Sequence, residues 1–213
     1  MSKYGHRTGD WKDAIINKLG GEAAGDAFLR GELTVDQVAK QAVLAILNFI
    51  STATVSFTAR PGDTVSEFFK TRDGLYVWDA FRNLMDETWL ASTIQNPSPI
   101  RISYYDLNKS ANDFQTEKEF EGNQAPFIFE NFGVFLAVLA GLILAQWGGK
   151  KDGPLLDNGY ANLFYVRIGS EVFTVHVSWS SVDRYWHVFA SPRGSFEWDA
   201  GLRVFSSNEH LDA

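Results

Sequence analysis

The feature that most constrains this chain is a run of fourteen residues without a polar side chain, from Phe132 to Ala145. No charged residue occurs between Glu130 and Lys150, so the run requires an apolar environment. A helix that spans a membrane needs about 20 apolar residues, whereas runs of about 10 to 14 are typical of buried helices. The run therefore predicts a helix in the protein core. A membrane-associated protein anchored through Phe132 to Ala145 is an alternative.

The C-terminal part of the chain has the pattern of a β-sheet. Four runs of aromatic and β-branched residues follow one another, and Gly169-Ser170 has the chemistry of a tight turn between the first two. The pattern predicts a four-stranded antiparallel meander with one apolar face, which includes Phe164 and Val204 and needs a cover. We expect the apolar helix to provide that cover. The predicted strands are Leu163 to Ile168, Glu171 to Trp179, Tyr185 to Ser191 and Leu202 to Ser206.

Helical spacing dominates the first fifty residues. Thr34 to Gln37 has the form of a capping box that opens a helix ending near Ile50. Thr52 to Ala59 then alternates with a period of two, which is typical of a half-exposed strand. Helical spacing returns from about Tyr76 to Glu87 and predicts a helix with Trp78 and Phe81 in the core.

A further helix is predicted from Asp113 to Glu119. It is charged and expected to be exposed, and Asn112 lies three residues before Gln115, where it can cap the helix.

Together these patterns predict an α+β protein with a helical N-terminal part and a C-terminal four-stranded antiparallel β-meander covered by a long apolar helix. Residues 1–10 are expected to form a disordered tail. Residues 11–121 would form a helical and mixed region, and residues 122–213 the helix with the sheet. Gly122 to Pro126 is the linker between them, and one continuous domain over residues 11–208 is the alternative.

Composition restricts the partners and the compartment. The formal net charge is -7, and a surface of this sign repels phosphate backbones and anionic lipids. We therefore expect no nucleic-acid partner and no membrane partner. The chain contains no cysteine and its N-terminus is polar, so it has neither disulfides nor the apolar core of a secretory signal. These features predict a cytoplasmic protein.

Two histidines in the predicted sheet mark the candidate site. A loop over Ser180 to Asp183 would make His176 and His187 cross-strand neighbours, and adjacent imidazolium ions would lower the pKa of at least one below about 6.5. The same face could bind a protein or a small polar ligand, although a solvated outer face is the simpler alternative. Two imidazoles without a third ligand make a poor metal site, so no metal is predicted. The candidate ligand-binding residues are Tyr165, Arg167, His176, Tyr185, His187 and Phe189.

Several segments resemble a known group of proteins. They are LGGEAAGDAFLRGEL at Leu19 to Leu33, GLYVWDAFR at Gly74 to Arg82, LLDNGYANLFYV at Leu155 to Val166 and WDAGLRVFS at Trp198 to Ser206. Together they resemble the uncharacterised conserved proteins that ultra-small candidate-phylum bacteria encode in multiple copies. The resemblance extends over nearly the whole chain. It implies a soluble protein and brings no assigned activity, cofactor or catalytic residue.

Sequence motifs with a readable mechanism are absent from the chain. It contains no phosphate-binding loop, dinucleotide fingerprint, HExxH zinc motif, EF-hand loop or GxSxG nucleophile elbow. We therefore predict no cofactor, and a noncatalytic binding or interaction module that uses the aromatic and histidine face of the C-terminal sheet. The alternative is an enzyme that acts on a small polar substrate near His176, His187 and Asp199.

Overall fold

The structure is a computed structural model that describes residues 27, 30–32, 45–57, 65–87, 99–122 and 127–207. Its helices are α1 Val65–Phe68, α2 Asp79–Glu87, α3 Asp113–Gly122 and α4 Phe132–Ala145. Its strands are β1 Leu47–Val55, β2 Leu75–Val77, β3 Ile100–Leu107, β4 Ala111–Asn112, β5 Ile128–Phe129, β6 Asn162–Ile168, β7 Glu171–Ser180, β8 Tyr185–Pro192, β9 Glu197–Trp198 and β10 Arg203–Ser207.

Most of these strands form one mixed eight-stranded sheet. Its order is β1-β3-β10-β6-β7-β8-β2, and β5 pairs with the C-terminal half of β6, where the pairing of β6 with β10 has ended. The pairs that β6 makes with β5 and β10 are parallel, as is the pair of β2 with β8. The short strands β4 and β9 pair with each other outside this sheet.

The predicted four-stranded meander covered by a helix is wrong as the description of this fold. β6, β7 and β8 are antiparallel neighbours, but β10 does not pair with β8. It lies on the other side of β6 and runs parallel to it, with Val204 opposite Leu163. Between β8 and β10 the chain forms β9, which lies outside the main sheet. This connection is long enough for β10 to pair on the far side of β6. Sequence patterns identify individual strands, whereas crossovers of this kind determine which strands are neighbours in the sheet.

The predicted helical N-terminal part is wrong at its C-terminal end, although Ala27 does lie in a helix. Residues 47–50 belong to β1, with Leu47 opposite Leu107 and Phe49 opposite Tyr105. Residues 45 and 46 are not helical either, and the rest of the predicted helix, residues 34–44, lies outside the described residues. Residues 75–77 are also a strand, so the second helix begins at Asp79 rather than near Tyr76. Aromatic and β-branched residues suit strands, and pairing in the sheet outweighs the helical spacing.

A bulge in β1 explains why its periodicity misleads. The register shifts between Phe49 and Ser51, so Ile50 is the extra residue. An extra residue inverts the alternation of side chains along a strand. Leu47 therefore points to one face of the sheet, whereas Val55 joins the core on the other.

Two cores form on the two faces of the sheet. On the α4 face, the face against which α4 packs, Phe164, Val175 and Val188 meet the helix. On the α3 face, Leu163, Tyr165 and Val204 pack with Phe120 of α3. Val204 was predicted to share a face with Phe164, and this is wrong because the parallel register sets Val204 beside Leu163.

Helix α4 spans the whole apolar run, Phe132–Ala145, and ten of its residues are buried. The side chain of Asn131 caps it by accepting a hydrogen bond from the Val134 amide at 3.1 Å. Gly141 allows a close approach to β1, because a Cβ there would lie 2.8 Å from Cγ1 of Val55. Among the residues that the structure describes, we find no helix with the length and apolar content that crossing a membrane requires.

Candidate functional site

Part of the α3 face stays open where β7, β8 and β2 lie side by side. We call the ring cluster there the aromatic surface. Tyr76, Trp78 and Phe196 are its most accessible members, with 39%, 45% and 44% of their surface exposed. Trp78 directly follows β2, and Phe196 directly precedes β9. The aromatic surface consists of Tyr76, Trp78, His176, His187, Phe189 and Phe196.

These rings touch one another in an unbroken chain. Trp78 makes edge-to-face contacts with Tyr76 at 5.3 Å and with Phe189 at 6.1 Å between ring centroids. Phe189 in turn contacts His176 at 4.7 Å, and His176 lies 6.3 Å from Phe196. Edge-to-face packing of this kind fixes the orientation of each ring. The surface is therefore continuous across three strands.

The β7–β8 hairpin closes one residue later than predicted. The loop is residues 181–184, because Arg184 has a positive φ of 62° and its amide donates to the Ser180 carbonyl at 2.8 Å. Ser178 therefore stands opposite His187, and the predicted pairing of His176 with His187 is wrong. Each histidine keeps its predicted face, because the partners shift by two positions and side chains alternate with a period of two.

His176 is the more enclosed of the two histidines. The Nε2 atoms of both histidines are buried without a hydrogen-bond partner, but the ring of His176 also packs on Trp198 at 5.6 Å. Burial lowers the pKa of His176 to about 4. One histidine thus titrates below 6.5 as expected, but desolvation rather than a second imidazolium ion is the cause. Nε2 of His187 lies 3.8 Å from Oδ2 of Asp183, at the solvent-exposed hairpin.

We expect the free energy of unfolding to fall as the pH drops from about 6.5 to about 4. In the unfolded chain His176 takes up a proton near pH 6.5, whereas the folded chain does so only near its lowered pKa of about 4. Acidification therefore favours the unfolded state in this interval, by up to about 3 kcal/mol. Urea unfolding at several pH values measures the slope. His176→Phe should flatten it, and an equal slope in both proteins would contradict the assignment.

Three of the predicted site residues are not among the rings that define the aromatic surface. Tyr165 is fully buried under α3, where burial and the charge of Asp113 raise the pKa of its hydroxyl well above 10. Arg167 pairs with Glu130, with 2.6 Å between Nε and Oε2. Tyr185 begins β8 opposite Ser180 and is half-buried. The aromatic surface thus retains His176, His187 and Phe189 of the predicted set.

The residue that organises the border of the site is Asp113, which no sequence pattern assigns to the site. Asp113 is 1% exposed and is the first residue of α3, within the capping box that Asn112 and Gln115 form. Its carboxylate accepts hydrogen bonds from the side chains of Tyr165, Thr174 and Trp198 and from the amide of Gly194. The capping box was visible in the sequence, but the buried contacts were not.

The bonds of Asp113 hold the loop that carries Phe196. Gly194 and Trp198 flank this loop on either side, and both donate to the same carboxylate. Arg193 is held separately by Glu117 of α3, with 2.7 Å between Nη1 and Oε1. The loop is therefore tied to both α3 and the sheet. This attachment places Phe196 beside His176.

The arrangement proposed for an enzyme is not assembled by contacts in the described part of the chain. Asp199 is exposed and accepts a hydrogen bond from Oγ of Ser110 at 3.5 Å. Neither histidine forms a hydrogen bond or ion pair with it among the described residues. Within the same residues, no three His, Asp or Glu side chains are grouped as metal ligands.

Comparison of the chain with protein-family models, with curated proteins and with solved structures finds no match. The resemblance to proteins of candidate-phylum bacteria therefore stays a prediction.

Proposed function

We propose that this protein is a noncatalytic binding module whose aromatic surface captures a segment of a partner protein. The observation that supports the proposal most is the continuous contact of three exposed aromatic rings with His176, Phe189 and His187, the last of which lies 5.4 Å from Tyr76 between ring centroids. Isolated exposed apolar residues are ordinary on protein surfaces, whereas contiguous apolar patches mark interaction sites. Tyrosine and tryptophan are also the residues that contribute most at protein interfaces.

The surface has the rigidity that efficient binding requires. Tyr76 and Trp78 flank Val77, which is 1% exposed and anchors β2 in the core of the α4 face. The amide of Trp78 donates to the carbonyl of Val188 at 3.0 Å, so β2 is tied to β8 beneath the rings. Groups that are already ordered lose little conformational entropy when a partner binds. This favours a preformed docking surface.

We infer a protein partner rather than a nucleic acid or a membrane, and a cytoplasmic location. The net charge of -7 supports the first inference, because phosphate groups and anionic lipids are repelled by it. The lack of cysteine supports the second, since reducing compartments do not favour disulfides.

Selection from a random peptide library provides the test. We expect selection to yield peptides whose affinity falls at least about tenfold for the variant Trp78→Ala/Phe196→Ala, because aromatic anchors dominate such interfaces. The free energy of unfolding should change little, since both side chains are substantially exposed. Binding is measured by isothermal titration calorimetry and folding by circular dichroism.

Leu144→Ala/Tyr160→Ala is the matched control, because it removes two exposed apolar side chains outside the aromatic surface. Peptides should bind this control as they bind the unmodified protein. The proposal fails if no selected peptide distinguishes the Trp78→Ala/Phe196→Ala variant from the control.

A further inference from the structure

We propose that the segment captured by the aromatic surface is basic, with lysine or arginine side chains that lie over the exposed rings. This inference rests on the proposed function and adds the chemistry of the partner. It follows from the charges at the border of the surface and from the ring faces that the border encloses.

Three acidic residues are neighbours of members of the aromatic surface, two of them in sequence and one in space. Asp79 directly follows Trp78, Glu197 directly follows Phe196, and Asp183 approaches His187 to 3.8 Å. Arg82 pairs with Asp79, and Arg184 follows Asp183 at the hairpin. With three carboxylates and two guanidinium groups, the border carries one net negative charge. Since burial keeps His176 neutral at pH 7, with a pKa of about 4, its ring adds no opposing charge.

Ring faces attract cations, and this protein already uses that attraction internally. Guanidinium groups lie 4.8 Å from the ring centroid of Phe114 and 4.9 Å from that of Tyr104. Arg72 similarly lies over Phe68 and Trp147. A cation within about 6 Å of a centroid gains from the electron density of the ring, most of all over tryptophan.

The geometry of the aromatic surface suits such a cation. Tyr76 and Phe189 stand nearly perpendicular to Trp78, at interplanar angles of 81° and 79°. Perpendicular neighbours form corners in which one cation can lie close to two rings. Carboxylates next to such corners add a Coulomb attraction, and the net charge of -7 steers basic segments towards the protein.

The test uses the peptide acetyl-Gly-Arg-Gly-Arg-Gly-amide and its citrulline analogue, which keeps the shape of arginine without its charge. We expect the arginine peptide to shift the NMR signals of Trp78 and His187 at low salt and the citrulline peptide to bind at least about fivefold more weakly. Raising the salt to about 0.3 M should weaken binding of the arginine peptide. Equal binding of the two peptides, or shifts confined to other parts of the protein, would overturn the inference.

Charge variants separate local from general attraction. Asp183→Asn/Glu197→Gln should reduce the affinity for the arginine peptide about two- to fivefold. Asp152→Asn/Glu171→Gln makes the same change in net charge at exposed positions outside the border, and should reduce it less. Equal losses in the two variants would overturn the local attraction proposed here.

The library selection separates this inference from the proposed function. Selected peptides that depend on Trp78 and Phe196 should be enriched in lysine and arginine. Peptides that depend on these rings but are neutral or acidic would overturn the inference and leave the binding function standing. Absence of any peptide that depends on them would overturn both.

Discussion

Replacement of Asp113 by alanine is expected to lower the free energy of unfolding by about 3 to 5 kcal/mol. The substitution removes the acceptor of four hydrogen bonds, whose donors belong to β6, β7, β9 and the loop before β9. Each buried donor that loses its partner lowers the stability by about 1 to 3 kcal/mol. Water that enters the site can accept some of these hydrogen bonds and so reduce the total loss. Urea denaturation followed by circular dichroism measures the loss.

Two further variants make this test specific. Asp113→Asn keeps one oxygen acceptor and should lie between the wild-type protein and Asp113→Ala. Asp152→Ala removes a carboxylate that is exposed and should change the stability by no more than about 0.5 kcal/mol. If Asp113→Ala were as mild as Asp152→Ala, the buried cluster would not be holding the α3 face together.

Loss of the Asp113 cluster should also be visible at the aromatic surface. Gly194 and Trp198 enclose the loop of Phe196, and both lose their acceptor in Asp113→Ala. We therefore expect the NMR signals of Phe196 and His176 to change, whereas those of residues buried on the α4 face should change less.

Local sequence signals predicted individual elements well. The strands β6, β7 and β8 and the helix α4 lie within one residue of their expected bounds. In each case the signal is short-range, because a period of two or a continuous apolar run reports burial along a few neighbouring residues. The capping box of Asn112 and Gln115 likewise marked the start of α3, where the two residues bond reciprocally at 2.9 Å.

The arrangement of these elements could not be obtained in the same way. The position of β10 beside β6 depends on a crossover. The bulge at Ile50 accompanies the packing of one strand in both cores, since Leu47 belongs to one core and Val55 to the other. Neither leaves a local pattern. β2 was similarly hidden, because three residues are too few to show a period of two.

The candidate site was predictable only in part for the same reason. The side chains of His176, His187 and Phe189 share a face because side chains alternate along a strand. They stay on that face because the hairpin register differs from the predicted one by two positions. Trp78 was expected in the core from helical spacing, but it precedes α2 and is 45% exposed. Asp113 meets Trp198 across a separation of 85 residues, which no local pattern encodes.

Leu139→Asp is expected to abolish the folded state or to lower its free energy of unfolding by about 4 kcal/mol or more. Leu139 is fully buried at the centre of α4, in the core that Phe164 and Val175 share on the α4 face. An unpaired carboxylate there would be desolvated without a partner, and such burial is among the most destabilising of single changes. The matched control is Leu144→Asp, on the same helix but 44% exposed, which should be milder by several kcal/mol. Thermal unfolding of both variants measures the difference. Equal melting temperatures would mean that α4 does not pack on the sheet through Leu139.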